Sequence, residues 1–394
     1  MAVLLVVALL GAVGLLAQGD LAAMARTRAQ ARSIEALARA RTALIGYAVS
    51  YAERHPGESY GYLPCPDANN TGSTPIGACG ARDLGALGRL PYRTLGLTDL
   101  RDGWGNCLWY AVAGSVKHNP KPLALNWDSP GQFQPRTDDG IALTGADDRV
   151  VAVLFAPGPP LPRQTRPAST GRRCPGSDSA AADVGHFLDG GYAVSFGGAL
   201  DVLQGTADGL PRNDLIAWVT VDDLFGALRR RSDFAPHVGE VIGAAAAALE
   251  VRLGEADFLA AHTAPTGALL VGQLPDAAAL GLPAGRSDAH DNWRDQFRFA
   301  ACADGSACVS VTFTDVPGIR HCRAALLFGG ERIRTGDPRQ PRLTAAQRAD
   351  PAQYFEGGNA DNLLAGVPAF AGAHEFNVSP ATPATTRDVV RCLN

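Results

Sequence analysis

Apolar residues fill the start of the chain: residues 1–17 are all apolar or glycine, and after Gln18, Gly19 and Asp20 the apolar character resumes through Leu21, Ala22, Ala23, Met24 and Ala25. Such a run predicts a helix of membrane grade. A hydrocarbon core of about 30 Å takes roughly 20 helical residues, so residues 2–25 span it with Asp20 near the far interface. Beyond Arg26 the pattern changes period instead of ending. Ile34, Leu37, Leu44, Ile45, Ala48 and Ala52 recur at spacings of three, four and seven, while Arg32, Glu35, Arg39 and Glu53 mark the polar faces. An amphipathic helix over 26–55 therefore continues the first. Pro56 and Gly57 end it, because proline removes a donor and disfavours helix in the residue before it. The expectation is one helix of about 50 residues, about 75 Å long at 1.5 Å per residue.

Strand patterns follow the helix. Leu108 and Tyr110 alternate with Cys107 and Trp109, and residues 150–155 form an apolar run before the turn-forming Pro157, Gly158, Pro159 and Pro160. The same order then recurs. DNWRDQFRFA (291–300) aligns with DGWGNCLWYA (102–111) at a constant shift of 189 residues, and 274–282 echoes 90–97. Residues 324–328 echo 152–155, FEGG (355–358) echoes LDGG (188–191), and the alanine-rich stretch 241–261 stands where the first helix stood. Similarities repeated in one order predict a duplicated unit. The expected fold is α+β: a membrane or polymerisation helix (1–25), its amphipathic continuation (26–55), a first head (56–232) and a second, repeated head (233–394), each a helix on an antiparallel sheet.

Composition narrows the class. A chain of 394 residues exceeds one ordinary core, and 46% hydrophobic and 19% charged residues with 45 Gly and 27 Pro describe a globular, loop-rich protein. Its formal net charge of −4 gives no reason to expect nucleic acid. Eight cysteines without a C-x-x-C pair disfavour zinc ribbons and thioredoxin-like motifs, and an even count fits disulfides formed outside the cytoplasm, with buried free thiols as the alternative. Cys65 with Cys79 and Cys302 with Cys308 are the short-loop candidates; Cys107, Cys174, Cys322 and Cys392 leave several pairings open.

Candidate chemistry changes the picture little. There is no nucleophile-elbow, zincin or phosphate-loop motif, so no enzyme, cofactor or catalytic residue is expected. His321 beside Cys322 would point to the opposite face of a strand, and Asp189 and Glu356, each before Gly-Gly, read as a repeated turn. Trp104 is expected to anchor a strand in the core, with Asp102 and Asn106 capping the turn around Gly103 and Gly105. Tyr110 belongs to the same structural set, with Asp291, Trp293, Phe297 and Phe299 as its counterparts in the repeat.

The block Asp102, Trp104, Gly105, Asn106, Leu108 and Tyr110 resembles the D-P-W-G-x-x-Y-x-Y segment of type II secretion major pseudopilins. LPCP (63–66) and LPYRTLGL (90–97) are similar to patterns in prepilin-like proteins of proteobacteria. The resemblance covers roughly residues 1–115, with a fainter echo in the second half. It implies a single-pass inner-membrane protein with its heads in the periplasm, a structural or assembly subunit of a type IV pilus or type II secretion system. Implied partners are other pilin or pseudopilin subunits, the inner-membrane assembly platform and the lipid bilayer. Met1 would then be the first mature residue, after a basic leader lying upstream. No Glu precedes Glu35, so the registering carboxylate of such subunits has no match, which favours a minor or atypical subunit. The resemblance also suggests calcium at Asp138 and Asp139 or at Asp147 and Asp148, but solvated loops are the preferred reading and no metal site is expected. Two alternatives stand beside it: a secreted periplasmic binding or hydrolytic protein whose signal peptide is cleaved after Leu15, Leu16 and Ala17, and an adhesin carried at a pilus tip.

Overall fold

The computed structural model describes residues 2–145, 147–167, 174–205, 212–333, 339–377 and 387–394, with side chains from residue 21 onward. Helix α1 runs Ala2–Val49 and α2, Tyr51–Arg54, extends it, so the long continuous helix is observed. Its docking face is Ser33, Ala36, Leu37, Ala40, Leu44, Tyr47, Ala48 and Tyr51, all buried. Ile34, expected on that face, is 55% exposed. Ser33 takes the inward position there, accepting the Gly103 N–H at 2.9 Å, and Ile34, the next residue, is turned about 100° away from it around the helix. Residues 21–28 are all exposed, so the helix leaves the body near Ala29.

The first sheet contains β1 (Gly85–Arg89), β2 (Trp109–Val112), β3 (Phe133–Arg136), β4 (Val150–Ala156), β5 (Ser195–Phe196), β6 (Leu200–Leu203) and β7 (Leu215–Thr220). β1, β2, β4 and β7 are successive antiparallel neighbours, and β3 pairs with β6 in parallel. Every residue of β2 and β4 is buried, so the alternation expected at 107–110 is absent. These strands are covered on both faces, as continuous apolar runs require. Helix α1 packs on β4 and β7, and Phe187 of α3 (Ala180–Phe187) lies 5.9 Å from the Trp109 ring.

Helices α4 (Val221–Leu228), α5 (Phe234–Arg252) and α6 (Ala256–His262) lead into the second half. Pro236 falls in the first turn of α5, where its missing N–H breaks no intrahelical bond. Then follow β8 (Thr263–Thr266), β9 (Leu269–Gly272), α7 (Ala277–Leu280), α8 (Ala284–Trp293) and β10 (Phe297–Cys302). β11 (Val309–Phe313), β12 (Ile319–Cys322), β13 (Ala324–Phe328), α9 (Ala345–Ala349), α10 (Gly358–Ala365), β14 (Ala369–Gly372) and β15 (Val389–Leu393) complete the chain. Here β9, β10, β13 and β15 are successive antiparallel neighbours, and β11 pairs with β14 in parallel. The two halves share this antiparallel order, but β3 and β6 belong to the seven-stranded first sheet, whereas β11 and β14 form a separate three-stranded sheet with β12. Tyr110 lies opposite Leu154, and Phe299 opposite Leu326.

Among the described residues, α5 is the helix long and apolar enough to cross a membrane. Phe234, Val238, Val241, Ile242, Ala245, Ala246 and Leu249 bury its apolar face within the body, which accounts for its hydropathy. One hydrophobic core runs from Ala36 to Leu393 through the seven- and five-stranded sheets, and a second, with Val311, Leu327, Leu363 and Phe370, lies between the five- and three-stranded sheets. At its centre Trp127 of the first half meets Trp293 of the second at 4.4 Å between rings, with Phe225, Phe234 and Phe328 around them. All eight cysteines are paired: Cys65–Cys79 and Cys302–Cys308 as the short loops suggested, and Cys107–Cys174 and Cys322–Cys392.

Candidate functional site

The turn at 102–106 is where the head grips the N-terminal helix. One Asp102 carboxylate oxygen accepts the backbone N–H groups of Trp104 (2.9 Å) and Asn106 (2.8 Å), and the other accepts that of Gly158 (2.9 Å). The Asn106 amide donates to Asp102 (3.1 Å) and to the Gly158 carbonyl (2.8 Å). Burial pushes the Asp102 carboxyl up, against the pull of these bonds. Gly105 takes φ +84°, a conformation that suits glycine, and Gly103 donates its N–H to the Ser33 hydroxyl of α1 at 2.9 Å. A Cβ at Gly103 would stand 1.9 Å from the Ala29 carbonyl oxygen, so the turn presses directly on helix backbone.

Trp104 does not anchor the core. It is 36% exposed, because Asp102 and Asn106 occupy the inner side of the turn; Trp109, 1% exposed, fills the core position. Tyr110 is fully buried and donates to the Pro64 carbonyl at 3.1 Å. In the repeat, Trp293, Phe297 and Phe299 are buried, but Asp291 lies within α8 and accepts the Ala277 N–H (2.8 Å). The two glycines of DGWGN become Asn292 and Arg294 there, so the same register folds as helix instead of turn.

A second repeated device escaped the reading of the sequence. PRQTR (162–166) recurs as PRQPR (338–342), of which residue 338 lies outside the described residues. Arg166 donates to the Gly158 carbonyl (2.5 Å) and to Gln164 (2.7 Å), with its guanidinium 5.3 Å from the Phe187 ring. Arg342 does the same with the Gly330 carbonyl (3.1 Å), Gln340 (3.1 Å) and the Tyr354 ring (4.3 Å). The two carboxylates of the repeated turns act alike: Asp189 N–H donates to Asp214 (2.7 Å) and Asn213 N–H to Asp189 (2.6 Å). Glu356 N–H donates to Asp388 (3.2 Å) and Arg387 N–H to Glu356 (2.6 Å). Asp214 and Asp388 each stand one residue before the last antiparallel strand of their half. Arg342 alone reaches further, to Asp128 of the first half at 2.9 Å. Asp128 also receives Arg149 (3.2 Å) and Gln296 (2.7 Å); burial opposes its charge, but Arg342 and Arg149 hold the carboxyl below the usual range.

Residues 57–62 close the seam between the end of the long helix and the second half. Ser59 N–H donates to Asp288 of α8 (2.8 Å), and the Tyr62 hydroxyl bonds Asp288 (3.3 Å) and Asn292 (3.2 Å). Asn292 in turn accepts the Leu125 N–H at 2.8 Å, and Lys121 pairs with Glu58 (2.9 Å) and Asp288 (3.5 Å). A cleft of about 270 Å³ lies along this seam, lined by Glu58, Tyr60, His237, Val241, Arg286 and His290 among others.

The remaining candidates stay apart. Among the described residues no three His, Cys, Asp or Glu side chains gather to hold a metal ion. Asp138 faces Arg212 (3.7 Å), Asp139 is bonded by Thr137, Asp147 pairs with Arg339, and Asp148 accepts the Gly145 N–H (2.6 Å). His321 is exposed, and Cys322 is consumed by its disulfide. Set against protein-family models, curated proteins and solved structures, the chain matches none of them.

Proposed function

We propose that the protein is a structural subunit of the pilin and pseudopilin kind, tethered by its N-terminal helix and carrying a duplicated head. The observation that supports this reading is the division of labour along α1. Its distal part docks on antiparallel strands β4 and β7 through a face that includes three alanines, while residues 21–28 are exposed and follow, after Gln18, Gly19 and Asp20, on an apolar run of residues 1–17. Leu21, 65% exposed, and Met24, 50% exposed, are uncovered by the head and are available to lipid or to neighbouring helices. Four disulfides are compatible with export to an oxidising compartment. The shared strand order and the recurrent P-R-Q-x-R arginine contacts support two heads from one ancestral unit.

The reading is tested by cross-linking in the native membrane. Leu21→Cys and Met24→Cys, treated with an oxidant in intact membranes, are expected to give adducts between helices of this chain or with other subunits. Recovery of both variants as monomers in the soluble fraction contradicts the proposal.

A further inference from the structure

Four of the eight histidines, His55, His118, His237 and His290, converge on the seam between the long helix and the second half. The His55 ring stacks on Tyr51 at 4.0 Å, and His118 Nδ1 accepts the Cys65 N–H at 3.2 Å. His237 of α5 meets Tyr60 edge-on at 5.5 Å, and His290 of α8 stacks near Phe297 at 5.9 Å. His237 and His290 line the same cleft. We infer that residues 57–62 form an acid-labile latch, which holds the end of the N-terminal helix to the second half and releases it when His237 and His290 take up protons.

The geometry carries the argument. His290 is 1% exposed and its Nε2 donates to the Pro275 carbonyl at 3.0 Å, so the bare nitrogen is Nδ1, which is buried without a partner. His237 Nε2 is likewise buried without a partner. A proton added at either position creates a buried cationic N–H with no acceptor, which the closed seam disfavours. The charged neighbours do not reverse this. His237 faces Glu240 and Asp233 on its own helix and Tyr60 from the latch; His290 faces Asp291, Arg294 and, from α7, Asp276. Glu58 and Arg286 line the cleft between them. Burial outweighs these charges and pushes both imidazoles below their usual range.

The closed seam is therefore fully stabilised above about pH 6.5, the ordinary histidine value, and loses stability as the pH falls below it. Each histidine raises the opening constant by up to about tenfold per pH unit until its own depressed value is reached. Burial opposes the charge of Glu58, but its bonds to Lys121 and Tyr51 hold it below the usual carboxylate range, so the Glu58–Lys121 pair persists through this window.

Hydrogen exchange of the full chain at pH 7.5 and 5.5, corrected for intrinsic rates, tests the latch. Amides of 57–62 and 284–293 are expected to open measurably more at pH 5.5, by up to about tenfold for each histidine, while those of β2 and β4 hold. The paired variant His237→Gln, His290→Gln is expected to lose most of that response. Unchanged latch protection, or a variant that responds like the parent chain, overturns the inference. Imidazole NMR of the unmodified chain is a check that needs no variant: both rings are expected to titrate below about pH 6.5, and ordinary titration at that value would refute the latch.

Discussion

At Gly103 the absence of a side chain decides how the head sits on its helix, since any Cβ would collide with the Ala29 carbonyl. Gly103→Ala is therefore expected to destabilise the protein by about 1–3 kcal/mol, the usual cost of overpacking against backbone that must shift. Urea denaturation of the variant beside the parent chain measures it. Asp128 is a second decisive residue. Asp128→Asn leaves Arg149 and Arg342 buried without their counter-charge and is expected to cost about 3–5 kcal/mol. Because its carboxyl is held below the usual range, its contribution is present above about pH 4 and fades as the pH drops through its own lower value. A denaturation series from pH 6 to 2 should show that acid loss in the parent and not in the variant. Sequence and structure differ here for a physical reason. The Asp102 and Asn106 turn was legible because its bonds close within four residues. Asp128 was not, because Arg342 lies 214 residues away along the chain. Trp104 was misplaced because its size suggested burial, whereas the tight turn puts the two polar side chains inside.

At the level of elements, α1 has a docked part from Ser33 onward and an exposed part at residues 21–28. A chain lacking residues 1–28 is expected to keep its fold and its melting temperature within a few degrees, since the docking face begins at Ser33. Loss of near-UV circular dichroism in that chain would show that the exposed part is needed for folding. The C-terminal strand depends on a covalent tie: Cys322–Cys392 spans 70 residues and connects β12 to β15. Replacing both cysteines with serine is expected to cost about 4 kcal/mol on loop-closure grounds, read as a lower denaturation midpoint. The helix, its end at Pro56 and the strands 150–156 and 324–328 were legible because periodicity and apolar runs are local signals. The phase of the helix face was not, because Ser33, a polar residue that apolar periodicity does not mark, takes the inward position through its bond to the distant Gly103 and leaves Ile34 outside. The two short disulfides were legible and the two long ones were not, for the same reason of distance along the chain.

Across the whole molecule, the two halves share their core. Trp127 and Trp293, one from each half, are in ring contact, and Arg342 and Asp128 join the halves through charge. Unfolding is expected as one transition, with tryptophan fluorescence and far-UV circular dichroism coinciding, whereas independently folding heads would give two. The aromatic blocks and Gly-Gly turns showed a recurrent order along the chain, and P-R-Q-x-R was a further recurrence, but the meaning of the latter depends on carbonyls and rings brought together by folding.

The proposed tether requires that the apolar part of α1 remain on the working protein. Intact-mass and N-terminal peptide analysis of the protein from native membranes, expressed with its upstream codons, tests this most directly. A membrane-bound chain that retains residues 2–25 is the expected result. A soluble chain beginning just after Ala17 would contradict it.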